Sequence, residues 1–408
     1  MFHETRFRPS RRTMLSIASG VLLTGSGRYA HASPSGVDVG EVADGRVRFP
    51  SIVTGSEAAP NSDKASLPPD KRVGFAVVAL GRLSVEEILP AFAASKKCRL
   101  AALCSGTPDK LRHLGARYGI AEDALYSYDG FDRIAQNDAV QVVYIVLPNS
   151  MHKEWVLRSA AAKKHVLCEK PMANSANDAR AMIAACADAG VKLMIAYRCR
   201  YQPHHLEVIK RVQSGEFGPP KIIEAINAQN QGDPDQWRLK KALAGGGSLP
   251  DIGLYCLNAA RATLGEEPIE VEAQIHSTPN DRRFAEVEET VTWLMRFPSG
   301  ALANLSTSYG THRASRMAVH LDRGSLMLDN AFPYRGQRLR FVKAQDGIET
   351  ETDLQIAPQD QFASEMDHMA DCVLNNRAPD TPGEEGLRDQ VLMEAIYRSA
   401  EARVPVKV

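Results

Sequence analysis

From Arg72 to Tyr197 the chain alternates apolar runs with helix-like stretches, and few folds tolerate that rhythm. Val73 to Leu80 and Val140 to Leu147 (VQVVYIVL) are near-continuous apolar runs, as strands buried on both faces must be. Arg99 to Cys104 and the segments 165–168 and 192–197 read the same way. Between them, Ser84 to Ser95, Asp109 to Tyr118, 151–162 and 175–189 read as helices. Strands alternating with helices form a doubly wound parallel sheet, which binds ligands beyond the carboxyl ends of its strands.

After about residue 200 the rhythm changes. Lys221 to Ala228, Glu270 to Ser277, Glu289 to Phe297, Ala301 to Tyr309, Met317 to Leu321, Ser325 to Leu328 and Leu339 to Val342 are strand candidates in near succession. Few helices separate them, which favours a largely antiparallel sheet in an α+β domain. Two helical stretches, 360–376 and 384–403, close the chain. The fold class is therefore α/β. A doubly wound parallel domain spans 72–198, and an α+β domain spans 199–408, with last helices that can pack back on the first domain.

The residues ahead of Arg72 read differently. Arg6, Arg8, Arg11 and Arg12 are followed by the short apolar stretch Met14 to Leu23 and by Ala30-His31-Ala32, an A-x-A cleavage site. Together they predict a secretory leader over 1–32. The Arg11-Arg12 pair fits a twin-arginine signal, whose machinery exports folded proteins, so a periplasmic mature chain is expected from near Ser33. Residues 33–71 carry Pro, Gly, Ser, Ala and Asp without periodicity and read as an extended arm.

Charge narrows the partners. The 49 basic and 49 acidic residues cancel, which disfavours nucleic acid and anionic membranes. No segment after the leader has the continuous apolar length of a bilayer span. The cysteines include no C-x-x-C pair, so they are expected to be buried small hydrophobes, with no metal site.

Three segments carry chemistry. The first strand runs into Ala79-Leu80-Gly81-Arg82-Leu83-Ser84, a variant of the dinucleotide turn G-x-G-x-x-G/A. Gly81 stands where the backbone approaches the pyrophosphate, Ser84 is the small third position, and Ala79 replaces the first glycine. The second strand ends in Ser105 with no Asp or Glu at its tip. Ser105, Lys110 and Arg82 therefore suit a 2′-phosphate, favouring NADP over NAD, although an ordinary solvated loop would read alike. Next, Glu169-Lys170-Pro171 sits at a strand end. A lysine there can bond a reacting hydroxyl, or it can simply precede a helix at the surface. The third segment, Gly245 to Tyr255 (GGGSLPDIGLY), allows close backbone approach and opens a helix. On that helix Asp251, Tyr255 and Asn258 fall on one face, and they suit proton transfer and hydroxyl recognition.

These segments resemble the family named after glucose–fructose oxidoreductase, inositol dehydrogenase and rhizopine catabolism protein. The chain is most similar to its glucose–fructose branch. Val146 to His152, Gln236-Trp237-Arg238, Pro279-Asn280-Asp281 and Pro382 to Gly386 extend the resemblance over about 70–405. The resemblance implies a Rossmann domain followed by a large open antiparallel sheet that packs in homodimers or homotetramers. It implies Lys170, Asp251 and Tyr255 as catalytic residues, with Tyr255 as base and Lys170 lowering its pKa. Gly81, Arg82, Leu83, Ser105, Lys110, Pro148, Asn149, His152, Glu169, Lys170 and Arg198 are the expected cofactor contacts. Lys170, Trp237, Arg238, Asp251 and Tyr255 are the expected sugar contacts, of which Trp237 and Arg238 are the weaker, together with Asn149, His152 and Arg198. It further implies a ping-pong cycle on bound NADP, one sugar oxidised at C1 to a lactone and a second reduced. The arm would then close the cofactor site of a neighbouring subunit. The rival readings are a sugar dehydrogenase with exchangeable NADP and a non-catalytic sugar-binding protein.

Overall fold

A computed structural model describes residues 41–43, 46–48 and 66–408. The leader expected over 1–32 lies outside the described residues. Within the arm, β1 (Glu41–Ala43) and β2 (Arg46–Arg48) pair antiparallel, with Val42 opposite Val47. The arm therefore contains regular structure that the sequence reading left out. Its signal was Asp44-Gly45 between alternating residues, a common hairpin sequence. Ser62–Val408 forms a compact unit of its own.

Six strands of that unit form a parallel sheet: β3 (Val73–Val78), β4 (Cys98–Cys104), β5 (Leu125–Tyr126), β6 (Val142–Ile145), β7 (His165–Glu169) and β8 (Leu193–Ala196). Their order is β5-β4-β3-β6-β7-β8, and every pair is parallel. Helices α1 (Leu89–Ala94), α2 (Pro108–Tyr118), α3 (His152–Ala161) and α4 (Ala176–Ala189) connect them. All of β3 and β6 is buried, which is why both lack polar alternation. Strand order reverses between β3 and β6, so their carboxyl ends open the crevice where such sheets bind nucleotides.

After α5 (Pro203–Gln213) comes the second sheet: β9 (Pro220–Ala228), β10 (Glu270–His276), β11 (Thr290–Arg296), β12 (Leu302–Ser308), β13 (Ala314–Leu321), β14 (Gly324–Asp329), β15 (Arg338–Gln345), β16 (Ile348–Leu354) and β17 (Val406–Lys407). Its order is β16-β15-β14-β13-β9-β12-β11-β10-β17, antiparallel except at β9–β12. One face packs inward through Ile223, Ala225, Trp293, Met295, Ala303 and Leu305. The opposite face exposes Ile222, Leu294 and Leu302, and Leu302 pairs directly with Ile222.

The sequence reading missed α5, β5, β16 and β17. β16 is exposed along nearly all its length, so it has no apolar face to betray it. α5 is fixed by its start: Pro203 opens it, and the Gln202 side chain accepts from His204 N and His205 N. After β9 come α6 (Lys241–Ala244) and α7 (Leu254–Leu264), the latter continuing a π turn over Leu249–Gly253 and packing on β9 and β12. Helix α8 (Gln361–Leu374) packs back on the parallel sheet, where Phe362, Met366 and Met369 join Val73, Phe75 and Val77. Helix α9 (Gly383–Ala402) lies against α4 and β10. No helix among the described residues is long and apolar enough to cross a membrane. All seven cysteines are free and buried, as expected.

Candidate active site

The nucleotide edge begins at the end of β3. Ala79 takes φ +73°, the left-handed conformation that the missing glycine would supply without strain. The buried Ser84 hydroxyl donates to Ala79 O at 2.7 Å and holds the turn closed from the helix side. Gly81 is exposed, and a Cβ built on it would meet nothing within 4 Å. That open backbone fits a pyrophosphate. Lys110 Nζ donates to Leu80 O at 2.9 Å, which brings a cation to the turn. Ser105 lies at the tip of β4, with its Oγ accepting from Thr107 N at 3.1 Å. Arg82 is exposed and paired with Glu86 at 2.8 Å. Leu83 is half-buried one residue on.

The end of β7 meets the π turn ahead of α7. Lys170 Nζ donates to Asp251 O at 2.6 Å and to Asp251 Oδ1 at 3.0 Å. The same ammonium lies 4.7 Å from the centre of the Tyr255 ring. On the far side, Asp251 Oδ2 accepts from Arg238 Nε at 3.1 Å and from the Tyr309 hydroxyl at 2.5 Å. Burial opposes the Asp251 charge, but Lys170, Arg238 and Tyr309 outweigh it and hold the carboxyl well below the usual carboxylate range. Trp237 completes this wall, stacked against Arg238 with 4.5 Å from guanidinium to ring centre.

Tyr255 departs from expectation in one respect. Its hydroxyl accepts from Arg198 Nε at 3.1 Å, while Lys170 faces the ring. Burial pushes the phenol above its ordinary value, and the Arg198 charge opposes it. Arg198 is itself fixed: Nη1 donates to Gln361 Oε1 and Nη2 to Phe332 O, both at 2.6 Å. The same guanidinium lies 4.5 Å from the centre of the Tyr255 ring and 4.6 Å from that of Tyr334.

Four expected ligand contacts have side chains engaged within the protein. Asn149 Nδ2 donates to Ala244 O, tying the β6 loop to the glycine segment. Pro148 sits half-buried just ahead of it. His152 is fully buried between Leu147 O and Pro171 O, each 2.9 Å from a ring nitrogen. The Glu169 carboxylate is buried against Tyr144. With Arg198 the fourth, these side chains are held in place by protein partners at the carboxyl edge of the sheet. Asn258 is likewise engaged within the protein. It donates to Glu385 and Asp389 in the buried cluster around Arg261.

Two supporting residues went unread. Glu288 accepts from Gly247 N at 2.8 Å, Leu249 N at 2.9 Å and the Tyr397 hydroxyl at 3.0 Å. It shapes the loop from which Asp251 projects. Gly247 must be glycine there, since a Cβ would lie 2.0 Å from Glu288 O. Tyr309 was visible only as the end of a strand.

Two family models match. One, described as an oxidoreductase family with an NAD-binding Rossmann fold, matches residues 73–197. The other, the GFO/IDH/MocA C-terminal domain, matches 205–327. A D-xylose 1-dehydrogenase [NADP(+)] from Haloarcula marismortui is 30% identical over 83% of this chain and 94% of its own. The chain belongs to the GFO/IDH/MocA oxidoreductase family. A D-xylose 1-dehydrogenase (NADP(+)) 2 from Haloferax volcanii is 29% identical over 82% of this chain and 99% of its own. The structure of an aldose–aldose oxidoreductase from Caulobacter crescentus, complexed with glycerol, superimposes with a TM-score of 0.80. It is 45% identical over 83% of this chain and all of that one. This GFO/IDH/MocA chain is thus an NAD(P)-dependent oxidoreductase, with its nucleotide turn and its Lys170–Asp251 pair on one crevice.

Proposed function

We propose that this protein is a periplasmic sugar oxidoreductase with tightly held NADP. It oxidises an aldose at C1 to a lactone and then reduces a second sugar on the same cofactor. The observation that carries this reading is the Lys170 ammonium held between Asp251 and the Tyr255 ring at the carboxyl edge of the parallel sheet. The relatives' names, NADP-linked xylose dehydrogenases and an aldose–aldose oxidoreductase, support the substrate class.

Gly81 with its open backbone, Ser105, Lys110 and Arg82 would hold NADP, whose nicotinamide accepts or supplies hydride when bound. The residues facing the sugar divide the remaining work. Lys170 Nζ donates to the C1 oxygen and stabilises charge developing there. Tyr255 Oη exchanges the hydroxyl proton, held in place by Arg198. Asp251, fixed by Arg238 and Tyr309, accepts from a neighbouring sugar hydroxyl. Trp237 offers an aromatic face to the ring.

The test is absorbance of the purified, dialysed protein. Glucose should raise the reduced-nicotinamide band without added nucleotide, and a second sugar should return it. Should dialysis strip the nucleotide, the protein is a dehydrogenase with exchangeable NADP. No reduction even with added NADP would leave only a sugar-binding role.

Export and self-association belong to the same proposal. The Arg11-Arg12 leader supports passage through a machinery for folded proteins. Replacing both arginines by lysine should leave precursor in the cytosol, and normal export of that variant would refute a twin-arginine route. The outer sheet face with Ile222, Leu294 and Leu302 supports pairing with another copy.

A further inference from the structure

Behind the strand end that carries Lys170, three polar side chains meet in the interior. Tyr144 on β6, Glu169 on β7 and Glu365 on α8 are all buried. Tyr144 Oη lies 2.8 Å from Glu169 Oε1 and 2.9 Å from Glu365 Oε1. A phenol has one proton to donate. It can satisfy one carboxylate, so the second short contact needs a proton on a carboxyl group.

The surroundings choose which carboxyl carries it. Burial raises Glu169 too, but there Lys170, Tyr144 and Arg198 oppose the rise, and Glu169 Oε2 accepts from the Lys170 backbone N–H at 3.3 Å. Glu365 Oε2 has no hydrogen-bond partner. A bare carboxylate oxygen in the interior is far more costly than the carbonyl oxygen of a neutral acid.

We propose that Glu365 is a neutral positioning residue of the hydride-transfer site. Its carboxyl O–H donates to Tyr144 Oη, Tyr144 donates in turn to Glu169, and ionised Glu169 braces the Lys170 peptide. The inference rests on the reading of Lys170 given above. The groups facing this chain of bonds include Cys168 and Lys170 at the end of β7, Arg198, Cys199 and Tyr201 from the turn after β8, Tyr255 on α7, and Tyr334. Burial pushes Glu365 well up, the Glu169 charge adds to it, and Tyr144 and Arg198 oppose. One turn earlier on the same helix face, Gln361 accepts from Arg198 Nη1 and donates to Tyr334 O, each at 2.6 Å. Helix α8 thus reaches both halves of the site: Tyr255 through Gln361 and Arg198, and Lys170 through Glu365, Tyr144 and Glu169.

Infrared difference spectroscopy of the wild-type protein against Glu365→Gln tests the protonation. The carbonyl stretch of an un-ionised acid should be present in wild type at neutral pH and absent from the variant. Sugar oxidation measures the positioning. An amide N–H can replace the acid O–H as donor, so Glu365→Gln should keep kcat within about threefold. Glu365→Met has no donor and should lose on the order of 10- to 10²-fold in kcat, with KM moving less. If no acid band is lost, Glu365 is ionised and the proposal falls. A lost band with an unchanged kcat in Glu365→Met would remove the positioning role. Should Glu365→Met fail to fold, Tyr144→Phe serves instead. The acid band should then shift to that of an unbonded acid while kcat falls, and an unmoved band and kcat would overturn the proposal. If wild type oxidises no sugar, the positioning role falls with the functional reading, while the infrared result still decides where the proton sits.

Discussion

Tyr255→Phe should lose hydride transfer by about 10²- to 10⁴-fold, the usual effect of removing a proton-transfer group. The ring keeps its neighbours, since Lys170 and Arg198 still meet its faces and Phe332 lies at 6.1 Å. What disappears is the oxygen that accepts from Arg198 Nε. A buried donor left unpaired costs about 1–3 kcal/mol, so a modest loss of stability should accompany the catalytic loss. Stopped-flow nicotinamide absorbance measures the first and thermal unfolding the second. Retention of nucleotide should be unchanged, because no nucleotide contact is assigned to this hydroxyl. The pH response has a definite sign. Burial raises the phenol, so its protonated form persists through neutral pH. Sugar reduction should therefore hold its rate there and decline only in alkali, while sugar oxidation should gain rate as pH rises. Near-normal single-turnover rates in the phenylalanine variant would move proton transfer to another group.

How far the sequence reveals such a site depends on whether partners are near in the chain. β3 and β6 were legible because burial on both faces removes polar residues and leaves an unmistakable run. β16 was not, because an exposed edge strand such as IETETDL has no face to hide. Lys170 and Asp251 could be picked out, since each sits in a short segment of unusual composition. Their partners could not. Tyr309 reaches Asp251 across 58 residues, and Glu288 reaches Gly247 across 41. Only the folded sheet brings those atoms together. The partners of Asn258 were equally out of reach, since Glu385 and Asp389 lie 127 and 131 residues on. One signal was available and unused. Gln361 and Glu365 interrupt the apolar face of α8 formed by Phe362, Met366 and Met369, and polar residues on a buried face need partners inside.

Lys170→Met should reduce hydride transfer by about 10²- to 10³-fold, comparable to removing one donor from an oxyanion site. Methionine keeps length and apolar stem but offers no N–H, so the sugar oxygen loses its donor while the crevice stays filled. Lys170→Arg preserves charge and should recover little, because a planar fork cannot place one nitrogen against both Asp251 O and Asp251 Oδ1 as Nζ does at 2.6 and 3.0 Å. The methionine variant also changes acid stability in a way that locates the charge. Asp251 is held below its ordinary range despite burial, first by Lys170 and then by Arg238 and Tyr309. A depressed folded-state pKa contributes stability above the unfolded value, and that stability is lost as pH falls through the folded value. Without Lys170 the depression shrinks, because Arg238 and Tyr309 alone remain. Acid unfolding of Lys170→Met should therefore begin at higher pH than in wild type, whereas Tyr255→Phe should leave the acid limb in place. The two variants then separate two roles within one crevice. If Lys170→Met shifts the acid limb but leaves hydride transfer intact, Lys170 serves only to pair with Asp251. In that case the donor to the sugar oxygen must be sought at Arg238, the other cation on that carboxylate.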